Sequence, residues 1–592
     1  MTSVGSPPVQ TRGGSFEEGL ANGHKLLAQY PTVALQQAQT LLRGGPDPRA
    51  LQLAAAALRR LERRDEAEQA ELSAIKASFA IRELDDAAVA GRDGREADAR
   101  ARLERFLAKQ PDNLLALTMA AEIDMTNWHL DAAEQRLRKV LERAPSFLRA
   151  IMFLVDCLRL QARVGEAISL VEGVVARKPG NLVALRKLAD LLAEANQQEK
   201  AAEIYARVLE LDSSEQEARI VRAHMLRMLG RKKESEEAFR GALAVNPHNG
   251  AAWWGLANYF PSALSDEDVE AMERALADQA DSPQNGGPLH IALGVLAERR
   301  GDHAEAFRHI SKGKELRARE HADDAAENAG NVDELIGNLT PQRFASLAGA
   351  GCQSDAPIFI IGMPRSGTTL LERILSRHSQ IEAAGERPVI ARLVTSSGAG
   401  SADRVATIGG DEVTRLGELY LERSRDYRRE EKPRFIDKMN PNWFRAGLIR
   451  MMLPNARIID LRRDALDCCW SNFKMMFAQG NVAANDQRRI ARFYRDYVRM
   501  VDAIDAAAPG GILKVRYEDL VDDAEGETRR ILEFLGLDYE PACMDFHLSS
   551  DAVATPSSEQ VRRPINRDSV GSAEPYREWL GPMIEELGEL AG

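Results

Sequence analysis

The apolar positions of the first half of the chain return every 34 residues. Small side chains stand at Ala99, Ala133, Ala167, Ala201 and Ser235, and twelve residues before each at Ala87, Ala121, Val155, Ala189 and Ala223. Four residues after the first set come larger apolar ones: Leu103, Leu137, Val171, Tyr205 and Phe239. Pro111, Pro145, Pro179 and Pro247 share the frame, with Ser213 in the skipped slot. Two small sites twelve apart suit a pair of helices that cross closely, and the large residues fill the space between them. A further unit fits 287–320, with Gly294, Ala306 and Ile310 in the same slots, and 50–61 with 66–79 reads as an off-register pair. Trp253, Trp254 and Tyr259 are expected in the core between helices. Beyond residue 355 the pattern becomes strand–helix alternation. Short apolar runs at 358–361, 435–437, 457–461 and 512–515 predict a parallel sheet covered by helices on both faces. Ligands then bind at the carboxyl ends of its strands.

A 34-residue period is the signature of tetratricopeptide repeats, and the resemblance covers roughly 15–320. It implies an all-α superhelical array whose concave face binds a peptide or protein; the alternative is an array that only shields or dimerises the rest. The expected division is a disordered start over 1–14, the array over 15–320, a linker over 321–355 with one helix at 341–347, and a P-loop-like α/β domain over 356–592.

The chemistry is concentrated after the first strand. Gly362 and Gly367 have the phosphate-loop spacing G-x-x-x-x-G, but Thr368 and Thr369 follow where a nucleoside triphosphatase has Lys and then Ser or Thr. Such a loop offers backbone N–H groups and the positive end of a helix to one phosphate. It lacks the ammonium that reaches β- and γ-phosphates, and the cation is instead Arg365. Ser366, Gly367, Thr368 and Thr369 therefore read as the cradle for a nucleotide with a short 5′ anionic tail. Arg463, directly after another strand, and Ser471, two helical turns later, are placed to converge on a second phosphate; Asp467 caps or pairs locally.

Together these two elements resemble the sulfotransferase superfamily, and most closely its tyrosylprotein sulfotransferase branch, in the bacterial form that carries tetratricopeptide repeats. The resemblance covers about 355–590. It implies 3′-phosphoadenosine 5′-phosphosulfate as sulfuryl donor, in-line transfer to an acceptor hydroxyl without a covalent enzyme intermediate, and no metal. It makes Glu386 the general base. Lys438, Arg365 and Ser557 become the groups that offset charge on the sulfuryl group and leaving phosphate. Tyr517, Arg562 and Arg563 join the donor site. The acceptor stays open among protein tyrosine, a sugar, a lipid and a small phenol. The chain departs from the family at Ser572, where a basic residue is usual, and at Met475, where the closest enzymes have Arg; Lys474 or Arg562 is the substitute. His378 reads as a structural residue, and Asp437 as a residue that orients Lys438 or closes a turn.

Composition adds limits. With 592 residues the chain holds at least two domain-sized units. A net charge of −12 gives no basic field for nucleic acid or an anionic membrane. Five cysteines are too few for a disulfide framework, and no apolar run is long enough to span a bilayer, so a cytoplasmic, reducing location is expected. Two rival readings remain: a repeat scaffold with a degenerate α/β domain, and an ATP-dependent P-loop kinase, which needs the Lys that Thr368 replaces.

Overall fold

The 34-residue frame is a frame of helix pairs, and local chemistry marks where each begins. Asn113, Asn181 and Asn249 each stand two residues after a frame proline. Their side chains accept hydrogen bonds from the N–H groups of Ala116, Ala184 and Ala252, at 3.0, 3.1 and 3.0 Å. Each thereby caps a helix: Leu114–Thr126, Leu182–Glu194 and Gly250–Tyr259. All five small residues from Ala99 to Ser235 are fully buried. The computed structural model describes residues 15–319, 325–477, 482–548, 561 and 563–592.

The chain packs as two units, Met1–Ala176 and Arg177–Gly592. The first is a run of helix pairs from Phe16–Leu26 onward, including Pro48–Arg60 with Arg64–Ser78, the off-register pair expected at 50–79. The second begins with further pairs, ending in Gly286–Arg299 with His303–Ala318, and continues into the sheet. Gly294 shows what a small slot is for: a Cβ there would lie 2.6 Å from Ile310 Cγ1 and 3.1 Å from the Ala306 carbonyl oxygen.

Five parallel strands form the sheet: β1 (Pro357–Ile361), β2 (Ile381–Gly385), β3 (Arg434–Asp437), β4 (Arg457–Arg462) and β5 (Ile512–Arg516), in the order β2-β3-β1-β4-β5. Four match the apolar runs. β2, Ile-Glu-Ala-Ala-Gly, is an edge strand too poor in large apolar residues to stand out in sequence. β1 is buried throughout, as a strand covered on both faces requires. Because β2 and β3 lie on one side of β1 and β4 and β5 on the other, the order reverses between β1 and β4. The loops after β1, β3 and β4 are therefore neighbours at one end of the sheet, where open α/β sheets bind ligands.

The expected linker is more structured than its composition suggests. Beside the short helix Pro341–Ala345 it holds Ala325–Asn338, whose buried Val332 and Leu335 lie toward the sheet unit. Asp333 pairs with Arg499, and Asn338 donates to the Ala402 carbonyl at 2.9 Å. At the end of β3, Asp437 is almost wholly buried; it accepts a hydrogen bond from Tyr420 at 2.9 Å and one from Asn442 at 3.4 Å. It thus closes the turn after β3 rather than orienting Lys438. Burial pushes the Asp437 carboxyl up to about 7, against the Tyr420 hydrogen bond.

Replacing Gly294 by Leu is expected to lower stability by about 1–3 kcal/mol through overpacking, read as a lower urea midpoint. Asp437 binds its proton more tightly folded than unfolded, so its contribution is complete below about 4 and lost as pH rises toward 7. The wild-type minus Asp437→Asn stability difference should fall across that window in urea titrations; a constant difference would contradict the assignment.

Candidate active site

The loop after β1 is held in conformations that few sequences tolerate. Gly362, Arg365 and Gly367 have φ of 152°, 68° and 99°. A Cβ on Gly367 would sit 2.4 Å from the Tyr517 ring, so the glycine lets that ring pack directly on the loop. The helix Ala465–Phe473 fixes the loop from the other side: Asn472 donates to the Pro364 carbonyl at 2.7 Å. The helix Thr368–Ser376 then starts at the loop's end, and its first-turn N–H groups lack intrahelical acceptors.

One cavity of about 850 Å3 gathers the residues that the sequence singled out. Arg365, Gly367, Thr368, Thr369, Glu386, Arg463, Ser471, Tyr517 and Arg563 line it, together with Lys474. Ser366 is buried within the loop, and among the described residues its Oγ has no hydrogen-bond partner. Ser557 and Arg562 lie outside the described residues.

The two predicted phosphate elements meet here. Arg365 Nε donates to Ser471 Oγ at 3.4 Å, and Arg463 Nη1 to the Arg365 carbonyl at 3.2 Å. Arg463 also stacks over Tyr517 at 5.5 Å. Burial first, and the Arg463 charge second, hold the Arg365 guanidinium below its ordinary range. The Arg463 charge lies close enough to weigh on the Arg365 guanidinium, and a bound anion would offset both. Among the described residues Ser366 Oγ and Arg463 Nε are buried without hydrogen-bond partners, so the residues present fit bound phosphate groups.

The departures from the family pattern have local explanations. Ser572 Oγ accepts from Arg463 at 3.0 Å, and Asp467 accepts from the N–H groups of Gly571 and Ala573 at 2.7 and 2.8 Å. The position without a cation is thus a hydroxyl that orients one, and Asp467 anchors the late segment. Met475 is buried in an apolar cluster with Trp254 and Leu296 of the repeat helices, and Lys314 donates to its carbonyl at 2.6 Å. Lys474 lines the cavity in its place, paired with Glu298 at 2.9 Å.

Glu386 follows β2, and Lys438 follows β3, its neighbour. Lys438 Nζ donates to Glu386 Oε1 at 2.5 Å. The lysine is 1 % exposed and the carboxylate 42 %, so the pair joins the protein interior to the cavity. Glu372, from the helix after the loop, lies 3.8 Å from the same ammonium. Burial works against the Lys438 charge, but the two carboxylates outweigh it and raise its pKa. Burial likewise raises the pKa of Glu372. His378 is structural, buried with its ring against the Asp538 carbonyl at 2.9 Å.

Sequence reasoning missed several groups. Thr368 Oγ1 donates to Asn440 Oδ1 at 3.0 Å, tying the loops after β1 and β3. Glu372 carried one signal, a charge on the apolar side of a short helix. Tyr259 packs against the core cluster of Trp253 and Trp254, as expected, and also lines the cavity with Asn258, Lys232 and Arg299 of the repeats. The period marks it as helical, and only tertiary packing places it at the site.

Residues 357–541 match the model of the sulfotransferase family, and 118–181 match that of the tetratricopeptide repeat. An uncharacterized protein of Aquifex aeolicus is 31 % identical over 62 % of the chain, and the chain spans 49 % of that protein's length. Protein-tyrosine sulfotransferase A of Caenorhabditis elegans is 26 % identical over 45 % of the chain and 72 % of its own length. The sulfotransferase domain of the Synechococcus PCC 7002 olefin synthase is 19 % identical with a TM-score of 0.24, over 38 % of this chain and 96 % of that one. The chain thus carries one stretch that matches tetratricopeptide repeats and, after it, one that matches the sulfotransferase family.

Proposed function

We propose that the protein transfers a sulfuryl group from 3′-phosphoadenosine 5′-phosphosulfate to an acceptor hydroxyl. The observation that carries this reading is the convergence of Arg365, the Gly367–Thr369 loop, Arg463, Ser471 and Glu386 around one cavity, with Lys438 holding Glu386 from the interior. The Ser366–Thr369 loop holds the 5′ end of the nucleotide; Arg463 and Ser471 hold the 3′-phosphate, and Tyr517 and Arg563 flank them. When bound, this donor supplies the sulfuryl group and a phosphate leaving group. Glu386 takes the proton of the acceptor hydroxyl, and its 42 % exposure leaves it open to that hydroxyl. Lys438, one bond from Glu386, and Arg365 offset the negative charge released. Ser557 keeps its family role as a proposal.

Protein tyrosine is the acceptor we favour, since the Caenorhabditis elegans relative is a protein-tyrosine sulfotransferase. The tetratricopeptide array is the proposed site for a protein partner or substrate, with the array, linker and sulfotransferase domain divided near 320 and 355. A reducing, cytoplasmic location fits five free thiols; among the described residues no helix is long and apolar enough to cross a membrane.

Calorimetry with 3′-phosphoadenosine 5′-phosphate should show micromolar-range binding that Arg463→Ala abolishes; no binding to the wild-type protein would favour the scaffold reading. Glu386→Gln should keep that affinity and lose turnover by about 10²- to 10⁴-fold, measured as labelled-sulfate transfer. Wild-type turnover in this variant would remove Glu386 from the mechanism.

A further inference from the structure

The turn that carries Glu386 is fixed to a repeat helix. Arg387, the next residue, donates through Nη1 to the carbonyl of Glu194 and through Nε to the carbonyl of Ala384, both at 2.5 Å. Arg392, in the helix Val389–Ser397 that follows, pairs with the Glu194 carboxylate at 2.5 Å. Arg429, just before β3, donates to the carbonyl of Asn196. Glu194 ends the helix Leu182–Glu194, so three arginines from three segments of the sulfotransferase domain converge on one helix C-terminus. Cations there satisfy terminal carbonyls and meet the negative end of the helix dipole. Arg387 and Arg392 are nearly buried, 7 % and 9 % exposed, which strengthens these contacts relative to a surface pair.

The clamp bears on the base through the chain. Gly385, with φ of 79°, accepts from the Lys438 N–H at 3.1 Å, which fixes the residue before Glu386 to β3. Arg387 fixes the residue after it to the repeat helix. The Glu386 side chain itself is half out in the cavity, so its direction is set by these two neighbours and by Lys438.

We infer that the C-terminus of the helix Leu182–Glu194, in the repeat array, positions Glu386: the Glu194 carbonyl holds Arg387 and its carboxylate holds Arg392, which sets the base against the acceptor hydroxyl. The inference rests on Glu386 being the base. It makes the repeat that holds Leu182–Glu194 part of the catalytic apparatus as well as of a surface for partners.

Full-length Arg387→Ala, which removes the bond to the Glu194 carbonyl, and Glu194→Ala, which releases Arg392, should each lower kcat, the first by about 10- to 100-fold, the cost of misplacing a group by an ångström. The KM for the donor and the affinity for 3′-phosphoadenosine 5′-phosphate should stay at wild-type values, which also checks that the variants are folded. In the Glu386→Gln background, adding Arg387→Ala should slow turnover no further, because the positioned group is already gone. Wild-type kcat in both single variants overturns the inference while leaving the base assignment intact. So does an additional loss in the double variant, or a fall in kcat matched by a fall in nucleotide affinity. Full turnover in Glu386→Gln alone overturns the base assignment, and the inference with it.

Discussion

Two arginines meet at the carboxyl end of a parallel sheet. Arg365 sits in a left-handed loop conformation, its charge disfavoured by burial and by Arg463, which follows β4 and donates to the Arg365 carbonyl. Much of the local structure maintains this arrangement. Asn472 pins the loop at Pro364, and Tyr517 packs where Gly367 has no side chain. Asp467 and Ser572 aim Arg463 from below. The loop carries no lysine of the kind that reaches a triphosphate tail.

The second constraint is the Lys438–Glu386 pair. A buried ammonium between two carboxylates is anchored, while one of those carboxylates reaches the cavity. Removing either partner would strand a charge, so the geometry of the pair is strongly fixed. The strand order explains how such distant residues meet: β3 and β4 flank β1, and the loops that follow all three face the same crevice.

The repeat frame, four of the five strands and the loop and Arg463–Ser471 side of the cavity were legible in the residues, because they rest on periodicity, short apolar runs and loop motifs. Glu386 and Lys438 were legible only through family resemblance; nothing in the composition of β2 announces a strand that leads into the cavity. The clamp on Glu194, the burial of Met475 among repeat helices and the place of Tyr259 were not legible at all. Each depends on helices of the array packing against a domain more than a hundred residues away in sequence, and the helical period is silent on which face meets which neighbour. The same holds for the helix Ala325–Asn338, whose polar, alanine-rich sequence reads as linker until its few apolar residues find the sheet unit.

The central claim is that the lysine-less loop and the Arg463–Ser471 pair grip opposite ends of one nucleotide. A crystal structure of the full-length protein with 3′-phosphoadenosine 5′-phosphate tests it most directly. The expected density places the 5′-phosphate on Ser366–Thr369 and the 3′-phosphate against Arg463 and Ser471. Nucleotide density elsewhere, or a nucleotide that touches the loop while Arg463 and Ser471 stay clear of it, would contradict the claim.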